Sequence, residues 1–305
     1  MLQRLEAKKE YLSMKGKILD GPLLFMLPAV LFVGGVTLFP MVHALWLSFL
    51  RFNLARPWVA RVFVGWNNYL NLLHDPILLK ALVVTAKFAL ATLTLQMAAG
   101  LLIALLLNLK VMGSHFFRVL FFVPMMTVPV ATGLAFRLIL NDGYGAANWF
   151  LKTVGFSPLY WLGNDLALFS VILAETWQWL PFSILIFSVA LTAIPKTYYE
   201  AAAMEGASNW FAFTRITLPN LKWAIFIIAI FKLSDAIKAF DVIYIITGGG
   251  PGISTQTLAL YLHKIGFVDF EMGYAAAFSF LLLAICLLIF LPLMHGLMQR
   301  KPQHV

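Results

Sequence analysis

Charge is what this chain has least of. Asp, Glu, Lys and Arg make up 11% of its 305 residues, where an ordinary soluble domain carries about a quarter. Hydrophobic residues make up 62%, and the mean hydropathy is +0.88. That composition excludes a soluble domain and predicts membrane spans. Cysteine is almost missing: Cys286 stands alone inside the last apolar run, which excludes a disulfide framework and argues against redox chemistry. The six histidines are scattered without metal-ligand spacing, so no metal site is expected. No G-x-x-x-x-G-K-S/T phosphate loop occurs, and the glycines between Gly248 and Gly252 lack its lysine. The chain itself is therefore not expected to hydrolyse ATP or to hold a cofactor. No nucleophile sits beside a base and no two carboxylates share a wet site, so no catalytic residue is expected either. The first apolar run follows about twenty polar residues and is too long for a signal-peptide core.

What is present is a series of apolar segments, at about 22–50, 78–109, 116–140, 166–194, 223–246 and 272–298. Each is long enough to cross a bilayer with some tilt, which predicts an all-α integral membrane fold of six transmembrane helices. Pro28 and Pro40 should bend the first. The expected organisation is a basic N-terminal segment over 1–21, a six-span domain over 22–298, and a short tail over 299–305. Leu2, Leu5, Tyr11 and Met14 form an apolar stripe if the first segment is an interfacial helix, and a frayed tail is the equal alternative. Gly113 pivots the short turn over 110–115, and Gly248 to Gly252 make a turn between spans five and six.

The net charge of +9 is better read by position than as a sign of nucleic-acid binding. With the N-terminus inside, the inner segments hold Arg4, Lys8, Lys9, Lys15, Lys17, Lys110, Arg118, Lys196, Arg215, Lys222, Arg300 and Lys301. The outer segments hold Arg51, Arg56, Arg61, Lys152 and Lys264. The bias puts both termini in the cytoplasm. Only the first outer loop, with its three arginines, dissents.

One polar connection, within 195–222, is not written like a loop. Ala201, Ala202, Ala203 and Met204 favour helix, Gly206 breaks it, and a second helical stretch runs through Phe211 and Phe213 towards Pro219. Two short helices with a glycine corner, on the cytoplasmic face, suit docking. The pattern Glu200-Ala201-Ala202, then Gly206, then Ile216, Leu218 and Pro219 resembles the EAA loop of permease subunits of binding-protein-dependent ABC importers. In that family the loop is the coupling helix that fits a cleft on a cytoplasmic ATPase. The resemblance implies that Glu200, Ala201, Ala202, Glu205, Gly206, Ile216, Leu218 and Pro219 contact or shape that coupling surface. ATP and Mg would then be bound by a dimer of partner ATPase subunits.

The fifth span is the other unusual stretch. Lys232, Asp235, Lys238 and Asp241 recur every three residues with alternating sign, close enough on a helix to pair. Such groups in a membrane mark a pathway, or else form a self-neutralising ladder that keeps a kinked helix packed. Ser234 and Tyr244 add hydrogen-bonding groups, and Glu175, Trp177 and Trp179 on the fourth span can meet them. Aromatic faces with a few polar groups suit a sugar, although any one Trp also suits plain packing. FDVIYIITGGGP over 240–251 and MGYAAA over 272–277 resemble carbohydrate-type importer permeases. The resemblance implies a second permease subunit, an extracytoplasmic solute-binding protein and a carbohydrate cargo, with Lys238, Asp241 and Tyr244 near its path. Two rivals remain: a gradient-driven secondary transporter using Asp235 or Glu175, which should show an internal repeat, and an importer permease for a non-sugar solute.

Overall fold

Long apolar runs become long helices. The computed structural model describes the backbone of residues 2–109 and 114–298, and side chains within 25–292 apart from 110–115, 117 and 118. The stripe through Leu2, Leu5, Tyr11 and Met14, the Gly113 pivot and the tail over 299–305 fall outside those described side chains or residues. Helix α1 (Leu2–Ser48) runs through Pro28 and Pro40 without interruption. It ends on a two-stranded antiparallel pair, β1 (Leu50–Arg51) with β2 (Val62–Phe63), which the sequence reading did not anticipate. Then come α2 (Asn67–Leu73), α3 (Pro76–Asn108), α4 (Ser114–Met126), α5 (Pro129–Ile139), α6 (Ala146–Thr153) and α7 (Ala167–Thr192). The polar connection follows as α8 (Lys196–Met204), α9 (Asn209–Ala212), a π-helical turn over Phe213–Thr217 and α10 (Leu218–Asn220). Finally α11 (Lys222–Lys238), α12 (Asp241–Ile246), α13 (Leu258–His263) with a second π-helical turn, and α14 (Met272–Met298) complete the chain.

Helix α3 is the spine. Pro76 opens it, and the Asp75 carboxylate accepts from the amides of Ile77 and Leu78 at 2.8 and 3.4 Å, a cap that satisfies two orphan donors. Ala81, Thr85, Phe88, Thr92, Gln96, Gly100 and Ala104 recur at three- and four-residue spacing and are all buried, so one face turns inward. Helix α7 lies along that face at close range: a Cβ on Gly100 would stand 2.7 Å from the Cβ of Ser183. Three apolar clusters follow one another along the spine. Leu78 and Ala81 meet Tyr261, Ile265 and Phe278; Phe88 and Ala89 meet Val171, Ile243 and Leu260; Ala104 meets Phe187, Leu191, Leu221 and Ile228. Helix α1 packs on α14 and is exposed along most of its length from Phe25.

Two expected spans are not single helices. The third bends by 102° between α4 and α5, because Val128, which precedes Pro129, is extended and Pro129 has no amide to continue the ladder. The fifth stops at Lys238, where Ala239 leaves the helical region, and restarts at Asp241. The break between α10 and α11 adds a 56° bend. Four helices are by themselves long and apolar enough to cross a membrane, and the number rises to six when each bent pair counts as one span.

The β pair and α14 touch through glycine. Gly273 donates its amide to Phe52 at 3.2 Å, and a Cβ there would collide with the Leu50 carbonyl oxygen. Gly273→Ala should therefore lower the thermal midpoint of the detergent-solubilised protein by the equivalent of about 1–3 kcal/mol. Gly35→Ala, at a helical position with open space around it, should hold or raise the midpoint. Equal midpoints for the two variants would show that the close approach is not a constraint.

Candidate functional site

Polar side chains gather where the two interrupted helices break. The Lys232 ammonium group, almost fully buried, lies 3.5 Å from Asp235 Oδ2 and 3.9 Å from Glu175 Oε1, and 4.7 Å over the ring of Trp179. Glu175 and Trp179 stand one helical turn apart on α7, so both face α11. A cavity of about 250 Å³ opens beside them, lined by Trp179, Phe182, Phe231, Lys232, Ser234, Asp235 and Lys238. A smaller one of about 100 Å³ shares Trp179, Asp235 and Lys238 with it and reaches Glu175 on α7 and Pro129 and Asp241 at the two breaks. A cation over an aromatic face, free carboxylate edges and a half-exposed ammonium group together present donors, acceptors and a stacking surface to one volume.

Of the residues singled out from the sequence, Glu175, Trp179, Asp235, Lys238 and Asp241 come together around this volume. Trp177 does not: it packs against Phe136, ring centroids 5.6 Å apart. Tyr244 stacks on Phe240 at 5.1 Å and meets the His263 ring at 5.5 Å, in an aromatic cluster on α12 and α13. The four-residue ladder is also not continuous. Among the described residues only Lys232 forms ion pairs, with Asp235 and across to Glu175, and the helix ends between Lys238 and Asp241. Two buried amides escaped the sequence reading of the site. Gln96 donates to the Glu175 carbonyl at 3.3 Å, and Gln178 to the Thr127 carbonyl at the first break at 3.1 Å. Only their polarity inside apolar runs signalled them.

The polar connection has a defined shape. Helix α8 closes in a Schellman turn: Gly206 has φ +75° and donates to Ala203, and Ala207 donates to Ala202. The Ser208 hydroxyl then accepts from the Phe211 amide at 3.2 Å and starts α9. Tyr199 and Thr217 share a hydroxyl–hydroxyl bond of 2.9 Å, folding the two arms together. Ile216 and Tyr199 turn inward onto the Leu191–Leu221 cluster. Glu200, Ala201, Glu205 and Gly206 stay exposed, Ala202 is half-buried, and Leu218 and Pro219 are exposed in α10 just before the 56° bend. Met204 and Trp210, 91% and 72% exposed, flank the corner as an apolar rim.

Residues 96–302 match the family described as the binding-protein-dependent transport system inner membrane component. The chain belongs to this family. It is a multi-pass membrane permease component rather than an enzyme. Its relatives include the trehalose/maltose transport system permease protein MalF of Thermococcus litoralis, 34% identical over 78% of this chain and 80% of that one. The arabinooligosaccharides transport system permease protein AraP of Bacillus subtilis is 32% identical over 88% of this permease and 85% of its own length. A chain of a bacterial alginate ABC transporter, solved in complex with an alginate pentasaccharide-bound periplasmic protein, superposes with a TM-score of 0.76. It covers 92% of this permease and 95% of that chain at 20% identity, so it attests the fold.

The Lys232 triad is testable in the permease. Lys232→Met leaves the Glu175 carboxylate buried without a cation and should cost about 3–5 kcal/mol of stability. Adding Glu175→Gln should recover most of the loss, measured as thermal midpoints in one detergent. A double variant no more stable than Lys232→Met would show that the pair does not carry the effect.

Proposed function

We propose that this permease forms part of an ATP-driven ABC importer for a carbohydrate, delivered by an extracytoplasmic solute-binding protein. The observation that carries the reading is the exposed, Schellman-turned corner at Gly206 with the motif residues arrayed around it. Glu200, Ala201, Ala202, Glu205 and Gly206 form the rim that docks on a cytoplasmic ATPase, and Ile216, Leu218 and Pro219 join that rim to α11. In this reading both termini are cytoplasmic, ATP and Mg reside on a pair of ATPase subunits, and a second permease subunit completes the path.

The geometry supports a mechanical link. Helix α11 has 17 residues, about 25 Å of rise. It begins beside the docking rim and ends at Asp235 and Lys238 in the cavity. Movement of the rim on ATP binding is carried along this one helix to the cargo-facing groups, switching the path between outward and inward states. Carbohydrate is favoured as cargo by the cavity, where Trp179 offers a stacking face and Ser234, Asp235, Lys238 and Asp241 offer hydrogen bonds. The substrates named for the relatives, trehalose/maltose and arabinooligosaccharides, point the same way.

Tagged permease purified from native membranes in mild detergent should bring down an ATPase subunit and a second permease, identified by mass spectrometry. Gly206→Asp and Glu200→Lys should leave the permease inserted while abolishing ATP-dependent uptake of the carbohydrate presented by its binding protein. Uptake that persists in either variant, or that survives ATP depletion and collapses with the proton gradient, would replace this reading with a gradient-driven transporter.

A further inference from the structure

The first loop after α1 is a charge anomaly. Residues 49–75, which join α1 to α3, contain Arg51, Arg56 and Arg61 against one carboxylate, Asp75, which is taken up by the Ile77 amide and by Tyr261 and Tyr274, on the face that the positive-inside rule leaves poor in cations. Arg61 is accounted for, with its guanidinium 4.5 Å over the Phe52 ring. Arg51 and Arg56 line a cleft of about 470 Å³ between the β1–β2 pair, α2 and the start of α14, together with Asn67 and Asn71. None of these four side chains has a hydrogen-bond or ion-pair partner among the described residues. The carboxylate in the same cleft, Glu271, accepts from Asn53 at 3.0 Å. Asn68 spends its amide on the Ser48 and Leu50 carbonyls at 2.8 and 3.0 Å. Two guanidinium forks and two amides are thus left facing open volume.

The cleft is held rigidly. Its floor is the β pair, its wall is fixed by the Gly273 contact, and Asp75 ties α3 to both Tyr261 and Tyr274. It shares no lining residue with the cavities at the helix breaks, which argues against a place on the cargo path. Two guanidinium groups lining one cleft, with amide donors beside them, match a carboxylate, which a guanidinium fork binds bidentately.

We propose that this cleft anchors the extracytoplasmic binding protein, which inserts an acidic side chain between Arg51 and Arg56. The assignment rests on the importer reading above. A guanidinium–carboxylate anchor of this kind steers encounter and fixes register, and it weakens with salt.

The test uses the whole importer complex in nanodiscs of phosphatidylcholine alone. Kd for the loaded binding protein is measured at low and high salt, along with stimulation of ATP hydrolysis. Arg51→Gln/Arg56→Gln should raise Kd by about tenfold or more and flatten its salt dependence, while the complex still assembles on size exclusion. Arg61→Ala should behave as wild type. Unchanged affinity in the double variant overturns the anchor. So does an effect of the two arginines that emerges only when phosphatidylglycerol is included, which would make the cleft a lipid-headgroup site. A wild-type complex that never responds to a binding protein sinks the importer reading itself, whereas one that responds equally with and without the two arginines sinks the anchor alone.

Discussion

A backbone carbonyl inside a bilayer has no water to turn to, so a membrane helix breaks only where something else satisfies what the break sets free. This constraint governs the permease. At the first break the Thr127 carbonyl accepts from Gln178 at 3.1 Å, and at the second the Ala239 carbonyl accepts from Thr257 at 3.2 Å. The Ile245 carbonyl accepts from Arg137 at 3.2 Å, tying α12 to α5. Gly133 lets these two half-helices lie close, since a Cβ there would stand 2.8 Å from the Cβ of Ile245. Both breaks are therefore supported from neighbouring elements, and the cavity exists because they are.

The same economy explains the charges. Lys232 is buried, but it lies against two carboxylates and an aromatic face, so its charge is met on several sides. Asp235, also part of that group, has a side chain 42% exposed and keeps one edge in the cavity. Lys238 and Asp241 fall on opposite sides of the helix break, so the break unpairs them and turns both towards the open volume. The interruption separates these two charges and leaves both on the wall of the smaller cavity.

Much of this was legible in the sequence, and the limits have physical causes. Apolar runs gave the helical segments because hydrophobic burial in lipid is a property of the segment itself. The Gly206 corner was legible because a positive φ at the end of an alanine-rich helix is a local event. The break at Val128–Pro129 had its proline in view, yet its 102° angle depends on Gln178 and α7, which are distant in sequence. The stop at Lys238 carries no proline or glycine, and the Thr257 hydroxyl that supports it lies 18 residues beyond Ala239, whose carbonyl it bonds. Trp177 and Trp179 differ by two residues and read alike, but two positions on a helix turn a side chain by about 200°. That rotation sends one to Phe136 and the other to the cavity.

The two ends of the bundle are built on different terms, and the difference bears on how the permease works. The end carrying β1, β2 and α13 is cross-linked by long-range hydrogen bonds: Asn53 to Glu271, Tyr261 and Tyr274 to Asp75, and the Leu258 amide to Thr85. Such an end holds its shape alone and can present fixed groups to a partner. The opposite end is secured by the Tyr199–Thr217 bond and an apolar cluster, and it leaves Met204, Trp210 and Phe211 uncovered. In the importer reading proposed above, these apolar side chains at a polar corner are the surface on which the ATPase docks. Between the ends, α11 runs from the uncovered rim to the unpaired charges. A rigid frame at one end, an unfinished surface at the other and a single helix joining that surface to the cavity are what a part needs in order to be driven from outside itself.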